Sequence, residues 1–462
     1  MERTELERRE VMFTNKRIFQ LLWPVLIEQA LASTVGIADT IMVSNVGDTA
    51  VSAVGLIDTI NNMFIQIFSA ISVGATVIIA QLSGRGDQRG VKRTVSQTVA
   101  LMTLVMTSIA LCVLLFGSYI VDILYPSIET AVRDNALTYF RLTALSYPFF
   151  GMMTIITGIF RGNGNTQTPM RISLGVNFVN VGLNALFIFG LDMGVAGAAL
   201  ATLLARVVGM LLMTRSLLKK YGTDVLKWVN LRFTKAVLKP VLNISLPSGF
   251  DTALFQSGRL IISVFVGTMT TAQMSGNTIA NSMFGLICIP GMAFCIVATT
   301  VTGQCYGAGR RREARRNLLK CIWIAVALLS ALSVVLYFIV PHLVDIYNPS
   351  ADAKPVAISI LHLYLVMIPL TWPPAFVSAH GLRAVNDVRF VTSISIPSMW
   401  IMRVIGAWFL GIKLGMGPLG LNLAMCLDWV VRTVVYVPRI AMLKRLKTDV
   451  ALEPVEKSEA EV

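Results

Sequence analysis

Apolar stretches of roughly 18 or more residues recur along this chain from Ile18 to Leu443, and no other feature restricts the fold as strongly. Each stretch is long enough to cross a hydrocarbon core about 30 Å thick as a helix that rises about 1.5 Å per residue. Hydrophobic residues account for 55% of the sequence and charged residues for only 14%. Soluble enzymes, nucleic-acid-binding proteins and β-barrels are therefore excluded, and the pattern predicts an all-α membrane protein.

Turns that contain polar residues, glycine or proline divide the apolar sequence into twelve predicted spans. The spans cover approximately residues 18–44, 51–83, 94–124, 132–160, 172–190, 193–214, 241–267, 274–306, 317–345, 355–382, 390–412 and 417–443. Basic residues concentrate before the first span, after the last and in the even-numbered connections, whereas the odd-numbered connections carry only Arg133, Lys354 and Lys413. By the positive-inside rule, both termini lie in the cytoplasm. The net charge of +14 is thus a topology signal, with anionic membrane lipids as its partner rather than nucleic acid.

The second half of the chain repeats the first at one constant offset in residue number, the offset that carries Pro24 to Pro247 and Glu28 to Asp251. This repeat offset holds without gaps over the first two spans of each half. It also relates Lys16 to Lys239, Gln81 to Gln304, Gly84 to Gly307, Gly86 to Gly309, Arg89 to Arg312 and Arg93 to Arg316. Such agreement in helix-breaking and charged residues is not expected from shared hydrophobicity alone.

The repeat predicts two pseudo-symmetric six-helix lobes. The predicted organisation comprises a cytoplasmic N-terminal segment (1–17), an N-terminal lobe (18–218), a cytoplasmic connection (219–240), a C-terminal lobe (241–445) and a cytoplasmic tail (446–462). Because six is even, both copies enter the membrane in the same sense, so an axis along the membrane normal relates them. Secondary transporters are commonly built in this way, with a cavity between lobes that opens to alternate sides. A static bundle produced by gene duplication is the structural alternative.

Acidic residues inside predicted spans are candidates for function, because an ionisable group there costs several kcal/mol unless it faces protein, water or a partner. Glu28 and Asp39 lie on one face of the first helix. Pro24 and Pro247 each precede an acid by four residues and are predicted helix hinges. Glu28, Asp251 and Arg259 are expected to line the substrate pathway, with Asp251 attracting cationic drugs as an unpaired carboxylate.

Two further polar groups carry alternative interpretations. Asp428 and Arg432 are four residues apart on the last helix, a spacing that predicts an intramembrane ion pair. A transport role is the alternative for that pair. Asn180 and Asn184 share one face of the fifth helix. One interpretation is that they form hydrogen bonds that hold neighbouring helices together. The other is that their amides surround Asp39 and bind a hard cation such as Na+ through oxygen.

The sequence lacks the motifs of several common classes of enzyme. No GxxxxGK[ST] phosphate loop, HExxH motif or GxSxG motif occurs, and the three histidines are scattered. We therefore expect neither ATP hydrolysis nor another enzymatic activity, and no cofactor.

Ordered motifs along the chain resemble those of the multidrug and toxic compound extrusion (MATE) family of bacterial antiporters. In the first half they are WPVLIEQ at 23–29, GIADTIMVSNVGDTAVSAVGL at 36–56, SVGATVIIAQLSGRGD at 72–87, FRGNGNTQTP at 160–169 and GVAGAALAT at 194–202. In the second half they are LPSGFD at 246–251, ATTVTGQCYGAGR at 298–310 and LDWVVR at 427–432. The resemblance implies twelve helices in two lobes and a monomer in the bacterial cytoplasmic membrane. It also implies extrusion of amphipathic, often cationic compounds against inward flow of H+ or Na+.

The resemblance further implies a cation-coupling site in the N-terminal lobe. Its positions match Asp39, Asn180, Asn184 and Thr202 of this chain. Some members carry aspartate where this chain has Asn184, so this site has less negative charge. Members with a sodium site in the second lobe use acids on the seventh and tenth helices, and the tenth span here, 355–382, contains no acid.

Two other functions remain alternatives. A lipid or lipid-linked oligosaccharide flippase of the same superfamily would share the two-lobe architecture, and it would need a strongly cationic cavity. Arg259 and Arg403 keep that interpretation open, whereas Glu28, Asp39 and Asp251 argue against it. An integral-membrane enzyme would need a nucleophile, metal ligands or an acid–base pair near a membrane face, and no such group stands out in the sequence.

Overall fold

The structure, a computed structural model, describes residues 12–46, 48–126, 129–226 and 233–444. Within these ranges the regular structure is helical, and no β-strand is present. Three sequence-based expectations concern segments partly or wholly outside the described residues. They are the N-terminal segment before residue 12, the connection at 227–232 and the tail from 445 onward.

Seven α-helices form the described first half of the chain. They are α1 (Asn15–Ser44), α2 (Asp48–Arg85), α3 (Gln88–Leu124), α4 (Thr130–Leu145), α5 (Tyr147–Gly162), α6 (Gln167–Ala185) and α7 (Gly194–Tyr221). A π-helical segment, Leu186–Gly190, extends α6.

Seven more α-helices form the described second half. They are α8 (Lys235–Gly267), α9 (Thr271–Ile287), α10 (Ile289–Gly307), α11 (Arg311–Asp345), α12 (Ala353–Ala384), α13 (Val388–Ser398) and α14 (Gly417–Ala441). Two π-helical segments, Met399–Ile405 and Trp408–Lys413, extend α13.

Length and hydropathy qualify most of these helices as membrane spans. Among the described residues, nine helical stretches are long and apolar enough to cross a bilayer, and two bent pairs raise the number to 11. The 33-residue α8 falls outside that set; it carries Asp251, Arg259 and two helix-interior prolines. The chain is therefore an all-α, multi-pass membrane protein.

The fourth and eighth predicted spans are each broken into two helices, which the sequence analysis does not anticipate. The bend is 46° between α4 and α5 and 42° between α9 and α10. Pro148 and Pro290 occupy the first turns of α5 and α10, respectively. Proline lacks the N–H that would continue the preceding helix and clashes with its last turn, so each span bends at that point.

The helices α2 and α5 of the first half pack closely against each other. A methyl group on Gly162 would lie 2.6 Å from the backbone oxygen of Thr76, and one on Gly158 would lie 2.4 Å from the Oγ of Ser72. Small residues at a helix interface allow backbones to approach in this way. The last turn of α5, which carries Arg161, therefore lies directly against α2.

Contacts divide the described residues into two compact units. One contains the described residues up to Leu22, Gly84–Gly86 and the described residues 250–444; the other contains the described residues within 23–83 and 87–249. The divisions inside α1 and α8 fall within three residues of Pro24 and Pro247, the predicted hinges. The predicted lobe boundaries at residues 218 and 241 stay predictions.

Candidate functional site

A cavity of about 190 Å³ lies within the unit that contains Trp23–Ser83 and Asp87–Gly249. Five polar side chains contribute to its lining: Asp39, Asp58, Tyr139, Asn184 and Thr202. The apolar part of the lining includes Val43, Val51, Val54 and Ala198. The cavity therefore offers carboxylate, amide and hydroxyl oxygens inside an otherwise apolar helix bundle, which are the groups that bind a proton or a hard cation.

Asp39 lies on α1 and is held by an amide from α6. Asn184 Nδ2 donates to Asp39 Oδ1 at 2.6 Å and lies 3.4 Å from Asn180 Oδ1. Thr202, on α7, lines the same cavity. Asn180 is buried and does not contribute to the lining. The structure thus brings three of the four residues implied by the resemblance to one cavity, with the fourth one turn away. Their role in ion coupling stays a prediction.

Asp58 on α2 is a cavity residue that the sequence places inside a predicted span but to which no site role was assigned. Tyr139 Oη donates to Asp58 Oδ1 at 3.1 Å, and Asn61 Nδ2 lies 3.5 Å from the same oxygen. The signal that marks this residue in the sequence is an acid inside a predicted span, the same signal that marks Asp39. Tyr139, on α4, has no such mark, because a tyrosine in a membrane helix is common.

A polar network continues from Asp58 into the lobe. Tyr147 Oη donates to Asn61 Oδ1 at 2.5 Å. Arg206 Nη1 donates to Ser146 Oγ at 2.6 Å, and its guanidinium lies 4.7 Å from the centre of the Phe150 ring. Within the described residues, no arginine, lysine or histidine forms an ion pair with Asp39 or Asp58. The two cavity acids are therefore held by neutral donors.

Glu28, predicted to line the substrate pathway, is an ion-paired residue. Arg161 Nη2 lies 2.7 Å from Glu28 Oε2, and Ser173 Oγ donates to Glu28 Oε1 at 3.2 Å. The contacts connect α1 with α5 and α6, and the carboxylate is 12% exposed. Its charge is thus neutralised inside its own lobe.

Asp251, the repeat counterpart of Glu28, has the same kinds of partner. Arg383 Nη2 lies 2.6 Å from Asp251 Oδ2, and Ser395 Oγ donates to Asp251 Oδ1. The expectation of an unpaired carboxylate at Asp251 is therefore wrong. The arginine lies 132 residues away in sequence, at the end of α12, so helix packing creates the pair. No ion pair of Arg259 occurs in the part of the chain that the structure describes, and its place in a substrate pathway stays a prediction.

Asp428 and Arg432 lie in contact on α14. Arg432 Nε is 2.8 Å from Asp428 Oδ1, and Ser398 Oγ donates to the same oxygen at 2.5 Å. The Asp428 side chain has 0% exposure. A carboxylate so deeply buried needs this compensation.

The remaining predicted site residues are the two helix hinges and the possible metal ligands. Pro24 lies inside α1 and Pro247 inside α8, and both helices continue through their prolines. No group of three or more His, Cys, Asp or Glu side chains suited to a metal is present among the residues that the structure describes. The polar groups around Asp39 are carboxylate, amide and hydroxyl groups, whose oxygens suit a hard cation better than a soft transition metal.

Known proteins resemble this chain along almost its entire length. The Uncharacterized transporter YisQ of Bacillus subtilis is 26% identical over 419 residues, which cover 89% of this chain and 91% of YisQ. The Probable multidrug resistance protein NorM of Thermotoga maritima is 25% identical over 440 residues, covering 93% and 92%. A multidrug resistance MATE family transporter of the MOP superfamily, solved in an outward-facing conformation, has a TM-score of 0.85 at 23% identity. The match covers 93% of this chain and 97% of that one, and it shows the shared fold.

The family model MatE matches the chain twice, over residues 24–186 and residues 247–409. The second segment starts and ends at the repeat offset from the first, so the two matches reproduce the repeat found in the sequence. Together the segments cover well over half of the 462 residues. This protein belongs to the MatE family, the multidrug and toxic compound extrusion transporters.

Proposed function

We propose that the protein exports amphipathic, often cationic compounds from a bacterial cell in exchange for inward flow of H+ or Na+, and that Asp39 carries the coupling cation. The observation that carries the proposal is the position of Asp39 in the cavity, held by Asn184 without a basic partner among the described residues. Its multidrug-resistance relatives support small-molecule drugs as the substrate class.

Neutralisation of Asp39 provides a physical link between ion and drug. A charged carboxylate in an apolar bundle is stabilised by the Asn184 amide, and a bound proton or sodium ion weakens the need for that hydrogen bond. Two arrangements of α1, with Pro24 as the bending point, would then differ in cation affinity. A drug that prefers one arrangement is thereby coupled to the cation through differential affinity for two states.

Other parts of the proposal follow from the charge pattern and the family. The basic even-numbered connections support cytoplasmic termini in the inner membrane, with anionic lipid as the surrounding partner. The lobe-internal site supports a monomer as the working unit. We also expect transport without a cofactor or a catalytic residue, because the sequence contains no phosphate-loop or catalytic motif.

A lipid flippase is the weaker alternative. Recognition of a phosphate or pyrophosphate head group requires a cationic cavity. Among the described residues, the polar lining of the cavity in the first lobe contains two carboxylates and no arginine or lysine. The negative charge of these carboxylates favours binding of a cation over binding of a phosphate group.

Efflux by purified protein in energised liposomes tests the proposal. Asp39→Asn keeps the shape of the side chain but cannot take up a proton, so we expect normal insertion and loss of ion-driven export. Collapsing the proton gradient and the sodium gradient separately identifies the cation. If Asp39→Asn, at equal abundance, exports drug at the parental rate and with the parental ion dependence, Asp39 is not the coupling residue.

A further inference from the structure

We propose that Asp58 is a second carboxylate of the coupling-cation site, so that one monovalent cation is held jointly by Asp39 on α1 and Asp58 on α2. The inference rests on the proposed function, which assigns the coupling cation to Asp39 alone. It extends the site to a helix from which neither the repeat nor the family resemblance draws a ligand.

The two aspartates share one cavity and leave oxygens open to it. Asp39 and Asp58 line the same cavity. Each uses its Oδ1 to accept hydrogen bonds, from Asn184 in one case and from Tyr139 and Asn61 in the other. No described side chain donates to Oδ2 of either aspartate. Each carboxylate thus keeps one oxygen available for a shared ligand.

Asn184 supplies a second, independent observation. Its side chain lines the cavity and is 2% exposed, yet its Oδ1 is buried without any hydrogen bond. An amide oxygen in that condition is destabilising. A sodium ion would satisfy the oxygen by coordination, and a protonated carboxyl group would satisfy it by donating a hydrogen bond. The unsatisfied Oδ1 of Asn184 therefore indicates a position for a bound cation.

The charge balance indicates how many cations the site takes. Asp39 and Asp58 repel each other electrostatically, and both are attracted by Arg206. Arg206 itself donates to Ser146 and stacks on Phe150, and it forms no ion pair with either acid in the described chain. Tyr139 is the other titratable group that faces the cavity. Two acids and one arginine leave one negative charge, which a single monovalent cation neutralises.

The repeat shows that this acidic pair belongs to the first lobe alone. At the repeat offset, the counterparts of Asp39 and Asp58 are Ile262 and Asn281. Asn281 Oδ1 accepts a hydrogen bond from Tyr364 at 3.4 Å, much as Asp58 accepts one from Tyr139. An asparagine is thus compatible with this position of the fold.

Cation binding to the purified protein tests the proposal directly. Radioactive sodium binding in detergent, and titration of the sodium-free protein with acid, form the two arms for the two cations. We expect Asp58→Asn to weaken binding about 10- to 100-fold, the usual effect of removing a group that supports a bound ion. Asp58→Glu, which keeps the charge, should restore most of the affinity. Asp122→Asn is the matched control, because Asp122 is 49% exposed and paired with Arg133, and it should bind as the parent does.

A second measurement uses the unmodified protein and does not depend on the stability of a variant. A hydrophobic carbodiimide adds to protonated carboxyl groups, and mass spectrometry of peptides measures its addition at each aspartate. If sodium is the cation, it should protect Asp39 and Asp58 over one concentration range. If the proton is the cation, labelling of both should rise over one pH range.

The outcomes separate this inference from the proposed function. Parental affinity in Asp58→Asn, or labelling of Asp58 that ignores the cation while labelling of Asp39 responds, overturns the shared site and leaves Asp39 in place. Absence of any cation response at both aspartates, together with parental export by Asp39→Asn, overturns both.

Discussion

Arg161 Nη2 and Glu28 Oε2 lie 2.7 Å apart, an ion pair that joins the last turn of α5 to α1 four residues beyond Pro24. The second half repeats the relationship, with Arg383 2.6 Å from Asp251 and Asp251 four residues beyond Pro247. A serine from the following helix donates to each acid. Each lobe therefore carries the same triad of acid, arginine and serine just after a helix-interior proline.

The triads stabilise places where the helices are weak. A proline inside a helix removes one backbone hydrogen bond and crowds the preceding turn. An ion pair one turn later fixes the following segment to the neighbouring helices of its lobe. This arrangement explains how an acid at these positions is retained within an apolar bundle: the arginine supplies its counter-charge.

Exchange of charges tests the first triad. Arg161→Gln leaves Glu28 as a nearly buried carboxylate without a counter-charge, and we expect it to destabilise the protein by roughly 3 kcal/mol, the lower end for breaking a buried pair. Combining Glu28→Arg with Arg161→Glu should recover part of that loss. Unfolding in detergent and abundance in the membrane provide the readouts. An exchanged variant no more stable than Arg161→Gln would show that the pair interaction is not the cause.

Asp251→Asn tests whether the second acid contacts drug. Because Arg383 already neutralises Asp251, the substitution leaves the arginine without its anion, and export of cationic and neutral compounds should fall by the same factor. Transport rates for one compound of each charge, normalised to protein in the membrane, measure the effect. A loss restricted to the cationic compound would assign Asp251 to direct drug binding.

Gly162→Ala tests the close approach of α5 to α2. The added methyl group would meet the Thr76 backbone oxygen at 2.6 Å, so one helix must move, and we expect destabilisation of about 1–3 kcal/mol. Gly175→Ala on α6 is the control, because its added methyl group meets no described atom within 4 Å beyond its chain neighbours and the backbone of its own helix. That variant should be unchanged or more stable by up to about 1 kcal/mol. Equal stability of the two variants in thermal unfolding would contradict the packing argument.

Local sequence determined much of this protein. Hydropathy over about 20 residues defines a span, because a helix in lipid satisfies its own backbone and needs only an apolar surface. The repeat offset, visible in Pro24 and Pro247, indicated two related halves, and the two family matches are related by the same offset. The pairing of Asp428 with Arg432 was also accessible, since residues four apart on a helix are neighbours whatever the helix packs against.

Tertiary structure alone decided which polar groups meet. Arg161 belongs to a basic connection by its sequence, yet it ends α5 and neutralises Glu28 from 133 positions away. Asp58 joins Asp39 in one cavity because α2 and α1 turn their acids toward the same space, and Asp251 has Arg383 as its partner for a similar reason. The rotation of each helix about its axis and the depth to which it packs against its neighbours determine which side chains come into contact. Many side chains across several helices determine both quantities together, and no single span encodes them.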